Sequence, residues 1–260
     1  MIISSPEQLK TYTEAGKIAT EILQQVSQKA REGVYSLELE EVAQGLCKKY
    51  KVEPSFARVQ NDYGPYGFAM CISVNDTVLH GMPNKQKAFA LGDVVKLDFG
   101  IVYEKLHTDQ CITVGIGKLS KKNKKLVEVA REAVINAVDL AIAGNRTGDL
   151  GAIMHLTSKQ KGFDVLKQYI GHGIGLSLHE RPSIPAYGRP GSGEKLVKGM
   201  VICVEAQVIA GSGEVYITDD TWTVKMKDGK NTAMFEYLVV VGETEPTILT
   251  PTQKWPLIAG

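Results

Sequence analysis

The sequence lacks the closely spaced cysteines that build zinc ribbons and disulfide-stapled domains. Its 260 residues contain four cysteines (Cys47, Cys71, Cys111 and Cys203), and no two of them form a Cys-x-x-Cys pair. Both classes are therefore excluded. We interpret the four cysteines as reduced thiols of a cytosolic protein.

A signal peptide and a membrane-spanning stretch are also absent from the sequence. The first residues, MIISSPEQ, turn polar at the fourth position, and no later run approaches the roughly 20 apolar residues that cross a bilayer. The formal net charge of +1 gives the whole molecule no built-in attraction to nucleic acid or anionic lipid. With 43% hydrophobic and 23% charged residues, we expect a soluble cytoplasmic protein with no membrane contact.

Three common catalytic motifs are incomplete. Asp98-Phe99-Gly100 matches a protein-kinase triplet, but the glycine-rich loop and the catalytic-loop motif of kinases are missing. The glycines around His172 do not have the G-x-G-x-x-G spacing, and His179-Glu180 does not begin an H-E-x-x-H motif. Dinucleotide binding and helical zinc-protease chemistry are therefore not indicated.

Helix and strand patterns follow one another in two rounds. Ser5-Pro6 predicts a helix start, and Ser36 is the predicted cap of a second helix. Residues 144–150 then repeat residues 33–39 at a shift of 111, and residues 199–205 repeat 92–98 at a shift of 107. We predict a pseudo-symmetric α/β (α+β) fold with a curved antiparallel sheet and helices on its outer face. Residues 1–260 should form one domain, because neither half alone buries enough surface.

Two acids lie in the stretch Val94–Val114, which is otherwise rich in strand-forming residues. If Tyr103-Glu104 forms a hairpin turn, Asp98 and Asp109 are directly opposite each other, with Cβ atoms about 5 Å apart. Two ionised carboxylates at that separation need a cation between them, or one must bind a proton. The weakness of the prediction is the turn, which lacks an Asn-Gly type of signal.

Further polar residues stand in apolar or glycine-rich surroundings. Glu205 ends the run MVICV, Glu236 lies between AMF and YLVVV, and His80, His172 and His179 lie near glycines. An isolated histidine or acid is more often structural. Together, four carboxylates and one imidazole suit Mn, Co, Fe or Zn, and two divalent ions balance the charge of the carboxylates. We therefore predict a two-metal hydrolytic centre formed by Asp98, Asp109, His172, Glu205 and Glu236.

The order of these residues resembles that of the type I methionine aminopeptidases, whose fold is called pita-bread. The likeness covers nearly the whole chain and includes NDTVLHGMP, GHGIG and LHE. It implies that a water or hydroxide bridging two metal ions attacks the first peptide bond and releases N-terminal methionine from nascent proteins and peptides. It also implies that Glu205 handles the proton of the water, that His179 steadies the scissile carbonyl, and that His80 contacts the substrate near the scissile nitrogen.

The resemblance implies a methionine pocket, and this chain departs from the family pattern around it. The pocket residues would be Tyr63, Tyr66, Cys71, Leu178 and Trp222. Leu178 replaces a common Phe, Ala206 replaces a usual Pro, and Gln60 replaces a usual small residue or Cys. The motif Leu-Asp-Phe-Gly at residues 97–100 is more similar to the corresponding motif of the X-Pro peptidases. These departures do not touch the metal ligands, but they bear on the strictness for methionine.

Alternatives to this interpretation come from two classes of protein. An X-Pro aminopeptidase or prolidase shares the metal site but normally has a large additional N-terminal domain, whereas 79 residues precede His80 here. Type II methionine enzymes have a helical insertion where this chain has 25 residues, between His179 and Glu205. A binding module of the same fold that has lost its metals should lack ligands, and none is missing.

One dense basic segment, residues 118–125, contains five lysines. A solvated helix start is the simpler interpretation, and contact with ribosomal RNA near emerging chains is the functional one. The sequence shows no appended targeting or zinc-finger extension, so we expect a free-standing monomer.

Overall fold

Four helices and eighteen strands make up residues 1–259, the part of the chain that this computed structural model describes. The helices are α1 (Pro6–Ser27), α2 (Ser36–Tyr50), α3 (Lys121–Val138) and α4 (Thr147–Gln160). The strands up to α3 are β1 (Glu53–Pro54), β2 (Gln60–Asn61), β3 (Gly64–Pro65), β4 (Met70–Val74), β5 (Thr77–Leu79), β6 (Val94–Phe99), β7 (Ile101–Tyr103), β8 (Leu106–His107) and β9 (Cys111–Ile116). The strands after α4 are β10 (Asp164–Val165), β11 (Gly171–Gly173), β12 (Glu180–Ile184), β13 (Val201–Ile209), β14 (Val215–Ile217), β15 (Val224–Met226), β16 (Thr232–Val240), β17 (Thr247–Ile248) and β18 (Ile258–Ala259).

A ten-stranded sheet forms the centre of the fold. Its main order is β12-β11-β13-β16-β9-β6-β4, and all of these pairings are antiparallel. β10 and β17 add to β13 and β16, and β18 pairs in parallel with β9. The curved, mainly antiparallel sheet covered by helices confirms the predicted fold class.

The helices bury one apolar face each against the sheet. In α1 the apolar side chains at helical spacing are buried, among them Ile18, Ile22 and Leu23. In α3 the buried face includes Leu126, Val134 and Val138. The alternate, helix-facing residues of the long strands complete this core, which separates the helices from the opposite face of the sheet. None of the helices in residues 1–259 is both long and apolar enough to cross a membrane.

The two halves of the chain share the same hydrogen bond at the start of their second helices, α2 and α4. The backbone N–H of Tyr35 donates to Glu38 Oε1 (2.9 Å), and that of Arg146, at the same shift of 111, donates to Asp149 Oδ2 (2.7 Å). The predicted cap at Ser36 is wrong, because Tyr35 is the N-cap and Ser36 is the first helical residue. The hydroxyl group of Ser36 instead accepts a hydrogen bond from the backbone N–H of Asn84 (2.8 Å), which fixes a distant segment.

Candidate metal centre and substrate cavity

The side chains predicted as metal ligands meet near the middle of the ten-stranded sheet. Glu205 on β13 is directly opposite Glu236 on β16, and Glu236 is paired with Cys111 on β9. Asp98 on β6 pairs with Cys111 from the other side, while His172 on β11 is opposite Cys203 on β13. Adjacent strands lie about 5 Å apart, so residues from both halves of the chain converge on one small region.

The hairpin that carries the two aspartates differs from the prediction. Its two-residue turn is Glu104-Lys105, both with positive φ (+48° and +67°), as a type I′ turn requires. Asp98 is therefore opposite Cys111, and Asp109 lies in the irregular segment between β8 and β9. The predicted direct opposition is wrong because glutamate and lysine carry no sequence signal for positive φ. The two carboxyl groups still lie within hydrogen-bonding reach of each other.

A cluster of potential ligand atoms lies at this point. Asp109, His172, Cys203 and Glu236 each offer one atom, and these atoms all lie within 4.8 Å of one another. His172 Nδ1 is 2.9 Å from the carbonyl oxygen of Gly173. Since only a protonated nitrogen can donate to that oxygen, Nε2 is left with a free lone pair, which is the arrangement of a metal-binding histidine.

Burial of the acids makes the centre electrostatically unfavourable without a cation. Burial raises the pKa of Asp98 to about 8, and repulsion from Glu205 adds to the shift. Burial also raises the pKa of Glu205, to about 7. For Asp109 and Glu236, burial followed by repulsion from the neighbouring acids raises the pKa well above its ordinary value. Divalent cations would reverse these shifts by favouring the charged forms.

Several carboxylate oxygens of the cluster are buried without a hydrogen-bond donor. Within residues 1–259 these atoms include Asp98 Oδ1, Asp109 Oδ1 and Glu236 Oε1. Buried polar atoms are normally hydrogen-bonded, and buried charges are normally paired or bound to metal. The donor set of carboxylates and imidazole therefore fits divalent metal ions.

The glycines that flank His172 allow β11 to pack closely against its neighbouring strands. A Cβ atom on Gly171 would overlap the carbonyl oxygen of Cys203 on β13, and one on Gly173 would overlap that of Arg181 on β12. These glycines let the neighbouring strands approach β11 closely, rather than letting a ligand approach the backbone. The close packing in turn fixes the direction of the His172 side chain.

Two further histidines face the same region. The ring of His179 lies 4.5 Å from that of His172 at an interplanar angle of 75°. His80 lies at a backbone position with φ of +54°, and its ring contacts Tyr169 and Trp222 edge to face at 5.6 and 6.4 Å. Burial lowers the pKa of His80 to about 4, with repulsion from His179 as a second cause, and burial also lowers the pKa of His179. Both rings are therefore neutral at pH 7, and each has one N–H to donate.

A cavity of about 270 Å³ opens beside the carboxylates. Most of its wall is apolar or aromatic, and Tyr66 and Trp222 meet edge to face at 5.3 Å. The predicted pocket residues Tyr66, Cys71, Leu178 and Trp222 line it, whereas Tyr63 is 81% exposed and lies outside the lining. The lining consists of Phe56, Val59, Tyr66, Cys71, Leu79, His80, Asp98, Asp109, Tyr169, Ile170, His172, Leu178, His179, Glu205, Trp222, Met234 and Glu236.

Some residues of the site were not found by sequence reasoning. Cys203 and Met234 lie two residues before Glu205 and Glu236, so the alternation of a strand places them on the same face as those acids. That two-residue spacing was the signal that could have identified them. Tyr169 and Ile170 directly precede β11 and also line the cavity.

The sequence and the structure are similar to those of known proteins over nearly their full length. The family model described as "Metallopeptidase family M24" matches residues 10–243. A methionine aminopeptidase of Clostridium acetobutylicum is 35% identical over 250 residues, which cover 96% of this chain and 98% of that protein. One from Aquifex aeolicus is 36% identical over 95% of this chain and 97% of its own length.

Solved structures give the same result for the fold. The crystal structure of a methionine aminopeptidase from Thermotoga maritima matches with a TM-score of 0.90 and 37% identity, over 96% of this chain and 99% of that one. A prolidase from Pyrococcus horikoshii matches with a TM-score of 0.76 and 23% identity, over 96% of this chain but 63% of the prolidase. The second likeness concerns the fold alone.

Proposed function

Because the chain belongs to metallopeptidase family M24, and within it to the methionine aminopeptidases, we propose that it removes N-terminal methionine with a centre of two divalent metal ions. The chain is a metal-dependent hydrolase of this family. The proposal adds the number of ions and the role of each residue. The single observation that carries it is the set of buried carboxylate oxygens without donors at the edge of an apolar cavity.

Asp98, Asp109, His172, Glu205 and Glu236 would hold the two ions. Asp109 and Glu236 lie together with His172 in the cluster of ligand atoms, and each of the two carboxylates would contribute to holding both ions. Asp98 would complete one ion site, and His172 with Glu205 the other. When bound, the ions would polarise the scissile carbonyl and lower the pKa of a water; Co, Mn, Fe and Zn all suit this ligand set.

Three residues of the chain would manage protons and charge. Glu205 would accept the proton of the water and return it later in the reaction, the role that the family resemblance implies for this carboxylate. His179 would donate a hydrogen bond to the scissile carbonyl oxygen as negative charge develops there. His80, held between Tyr169 and Trp222, would contact the substrate near the scissile nitrogen.

The cavity would bind the methionine side chain. Its volume of about 270 Å³ and its apolar, aromatic wall suit a flexible thioether, and sulfur interacts favourably with aromatic rings. Leu178 and Trp222 bound it near His179 and His80.

Chelation and metal titration test the proposal. Protein treated with EDTA should lose hydrolysis of a Met-initiated tripeptide and regain it with Mn²⁺ or Co²⁺. Calorimetric titration should give two ions per chain for the wild type and fewer for D98N. A stoichiometry of one ion in the fully active wild type would refute the two-ion centre.

Substrate comparison separates this function from that of the X-Pro peptidases. We expect hydrolysis of Met-Gly-Met and no hydrolysis of an X-Pro dipeptide under the same conditions, because the apolar cavity selects the first side chain. Faster cleavage of the X-Pro substrate would assign the chain to the other activity. No hydrolysis of either substrate with any of the four metals would favour a binding module.

Partners and location follow from the same proposal. Substrates would be peptides and nascent chains in the cytoplasm, and the enzyme would act as a monomer, which light scattering can test. The lysines of residues 118–125 are all exposed, so they are free to contact ribosomal RNA. Replacing those five lysines with glutamine should weaken cosedimentation with ribosomes, and the wild-type cosedimentation should decrease with salt. Unchanged cosedimentation of the variant would exclude this surface.

A further inference from the structure

A lysine is fully buried beside the candidate centre, and the proposed mechanism does not use it. Lys96 is 1% exposed and lies two residues before Asp98 on β6, so the two side chains leave the same face of the strand. Within residues 1–259, Lys96 makes hydrogen bonds but no ion pair. Burial lowers the pKa of Lys96 to about 7, because a buried charge without a counter-charge is unfavourable unless polar groups replace the lost water.

Oxygen atoms surround the ammonium group of Lys96. Its Nζ donates to the carbonyl oxygen of Asn75 at 2.8 Å, and to the carbonyl and hydroxyl oxygens of Thr232 at 3.2 Å each. The three protons of an ammonium group thus have three acceptors. Carbonyl oxygens arranged in this way also replace the hydration shell of monovalent cations such as K⁺.

The two residues that bind Lys96 belong to segments that carry site residues. Asn75 lies in the turn between β4 and β5, and β5 leads directly to His80. Thr232 is the first residue of β16, which carries Glu236. Lys96 itself is on the strand that carries Asp98. The ammonium group therefore joins three segments at positions two to five residues before Asp98, Glu236 and His80.

The turn at Asn75 has a left-handed backbone conformation, which asparagine adopts readily, and is fixed by several other hydrogen bonds. Asn75 has a φ of +54°, and its side chain accepts from the backbone N–H of Val94 (2.9 Å) and donates to Asp93 (2.8 Å). Its carbonyl oxygen also accepts from the backbone N–H of Thr232 at 3.1 Å. Removal of the Lys96 side chain would therefore take one donor from the carbonyl oxygen of Asn75 and one from that of Thr232.

We propose that Lys96 is a positioning residue, whose ammonium group acts as a built-in monovalent cation that holds His80 and Glu236 in register with Asp98. The chain itself supplies the cation, so the wild-type protein has no need of a bound one at this place. Removal of the side chain should leave an oxygen-lined hole that K⁺ or NH₄⁺ can enter. The inference does not rest on the proposed number of metals.

Thermal melts of the metal-free protein in different chloride salts provide the test. K96A should melt at a higher temperature in KCl or NH₄Cl than in tetramethylammonium chloride of equal ionic strength, because only the small cations fit the hole. The wild type should melt at the same temperature in all three salts. K96M, whose side chain fills the hole without charge, should be destabilised and not recovered by any salt.

Metal affinity separates a positioning role from a purely structural one. We expect K96M to bind Mn²⁺ about tenfold more weakly than the wild type, as substitutions that misplace metal ligands do. K225M is a matched control, since Lys225 pairs with Asp76 (3.1 Å) beside the same turn but does not touch the oxygens around Lys96. It should show neither cation-selective melting nor the loss of Mn²⁺ affinity.

Two results would overturn the proposal. One is a K96A protein whose melting temperature is equal in the three salts, and the other is K96M with the Mn²⁺ affinity of the wild type. If K96A does not fold during expression, it can be refolded from denaturant in each salt. Recovery in KCl but not in tetramethylammonium chloride supports the proposal, and equal failure in both overturns it.

Discussion

Replacing Glu205 with glutamine should stabilise the metal-free protein at pH 8. Burial raises the pKa of Glu205 from its ordinary value of 4.5 to about 7, and each pKa unit corresponds to about 1.4 kcal/mol. The ionised carboxylate therefore lowers the free energy of unfolding by about 3 kcal/mol at pH 8. Glutamine has nearly the same shape without the charge, so E205Q removes this cost.

The gain from E205Q should depend on pH with a definite sign. Since the folded-state pKa lies above the unfolded-state pKa, the native carboxyl group binds its proton more tightly, and this contribution to stability is lost as the pH rises from 4.5 through 7. At pH 5 the carboxyl group is mostly protonated in the native protein, and the advantage of E205Q falls below about 1 kcal/mol. His80 and His172 have lowered pKa values of about 4 and destabilise the protein as the pH falls below 6.5. Both proteins contain these histidines, so their effect cancels.

Thermal melts of exhaustively chelated wild type and E205Q measure the difference. A domain of this size shifts in Tm by roughly 2–4 °C per kcal/mol, so E205Q should melt roughly 10 °C higher at pH 8 and nearly equally at pH 5. Excess Mn²⁺ should reverse the order, because the wild type gains more from binding the ions. Equal melting of the chelated proteins at pH 8, or the same gain at both pH values, would refute the electrostatic account of the centre.

Three further predictions concern catalysis, packing and thiol chemistry. H179A should lower kcat by roughly 10²- to 10³-fold with metal content unchanged, since a donor to the developing oxyanion is lost; a loss confined to KM would assign His179 to ground-state binding. L126A should lower the free energy of unfolding by about 2–5 kcal/mol in denaturant titrations, because Leu126 on α3 is fully buried; a change below about 1 kcal/mol would contradict the packing of α3 on the sheet. All four cysteines are buried and burial raises their pKa values, so Ellman's reagent should label none within minutes in the native protein and four after denaturation. Rapid labelling of one native thiol would show that the cavity admits the reagent to Cys71.

The sequence predicted the elements whose residues carry a local signal. The sequence alone shows the helical spacing of apolar residues in α1 and α3 and the cap at Ser5. Acids inside apolar runs, such as Glu205 and Glu236, also stood out, because a charge in a buried strand needs a partner.

The features that escaped prediction depend on contacts between distant segments. The Glu104-Lys105 turn is imposed by the pairing of β7 with β8, not by turn-forming residues. From the sequence alone Cys203 resembles an ordinary core residue. Only the strand register shows that it lies opposite His172. The burial of Lys96 was not predicted, because its oxygen partners are backbone and side-chain groups from distant parts of the chain.

The residues that we propose as metal ligands are divided between the two repeats of the chain. Asp98 and Asp109 come from the first repeat, whereas His172, Glu205 and Glu236 come from the second, and β9 and β16 are adjacent where the repeats join. A fragment that contains only one repeat therefore lacks part of the ligand set however well it folds. In protein loaded with metal, ion release during denaturation should therefore coincide with separation of the two halves rather than with loss of structure in either one.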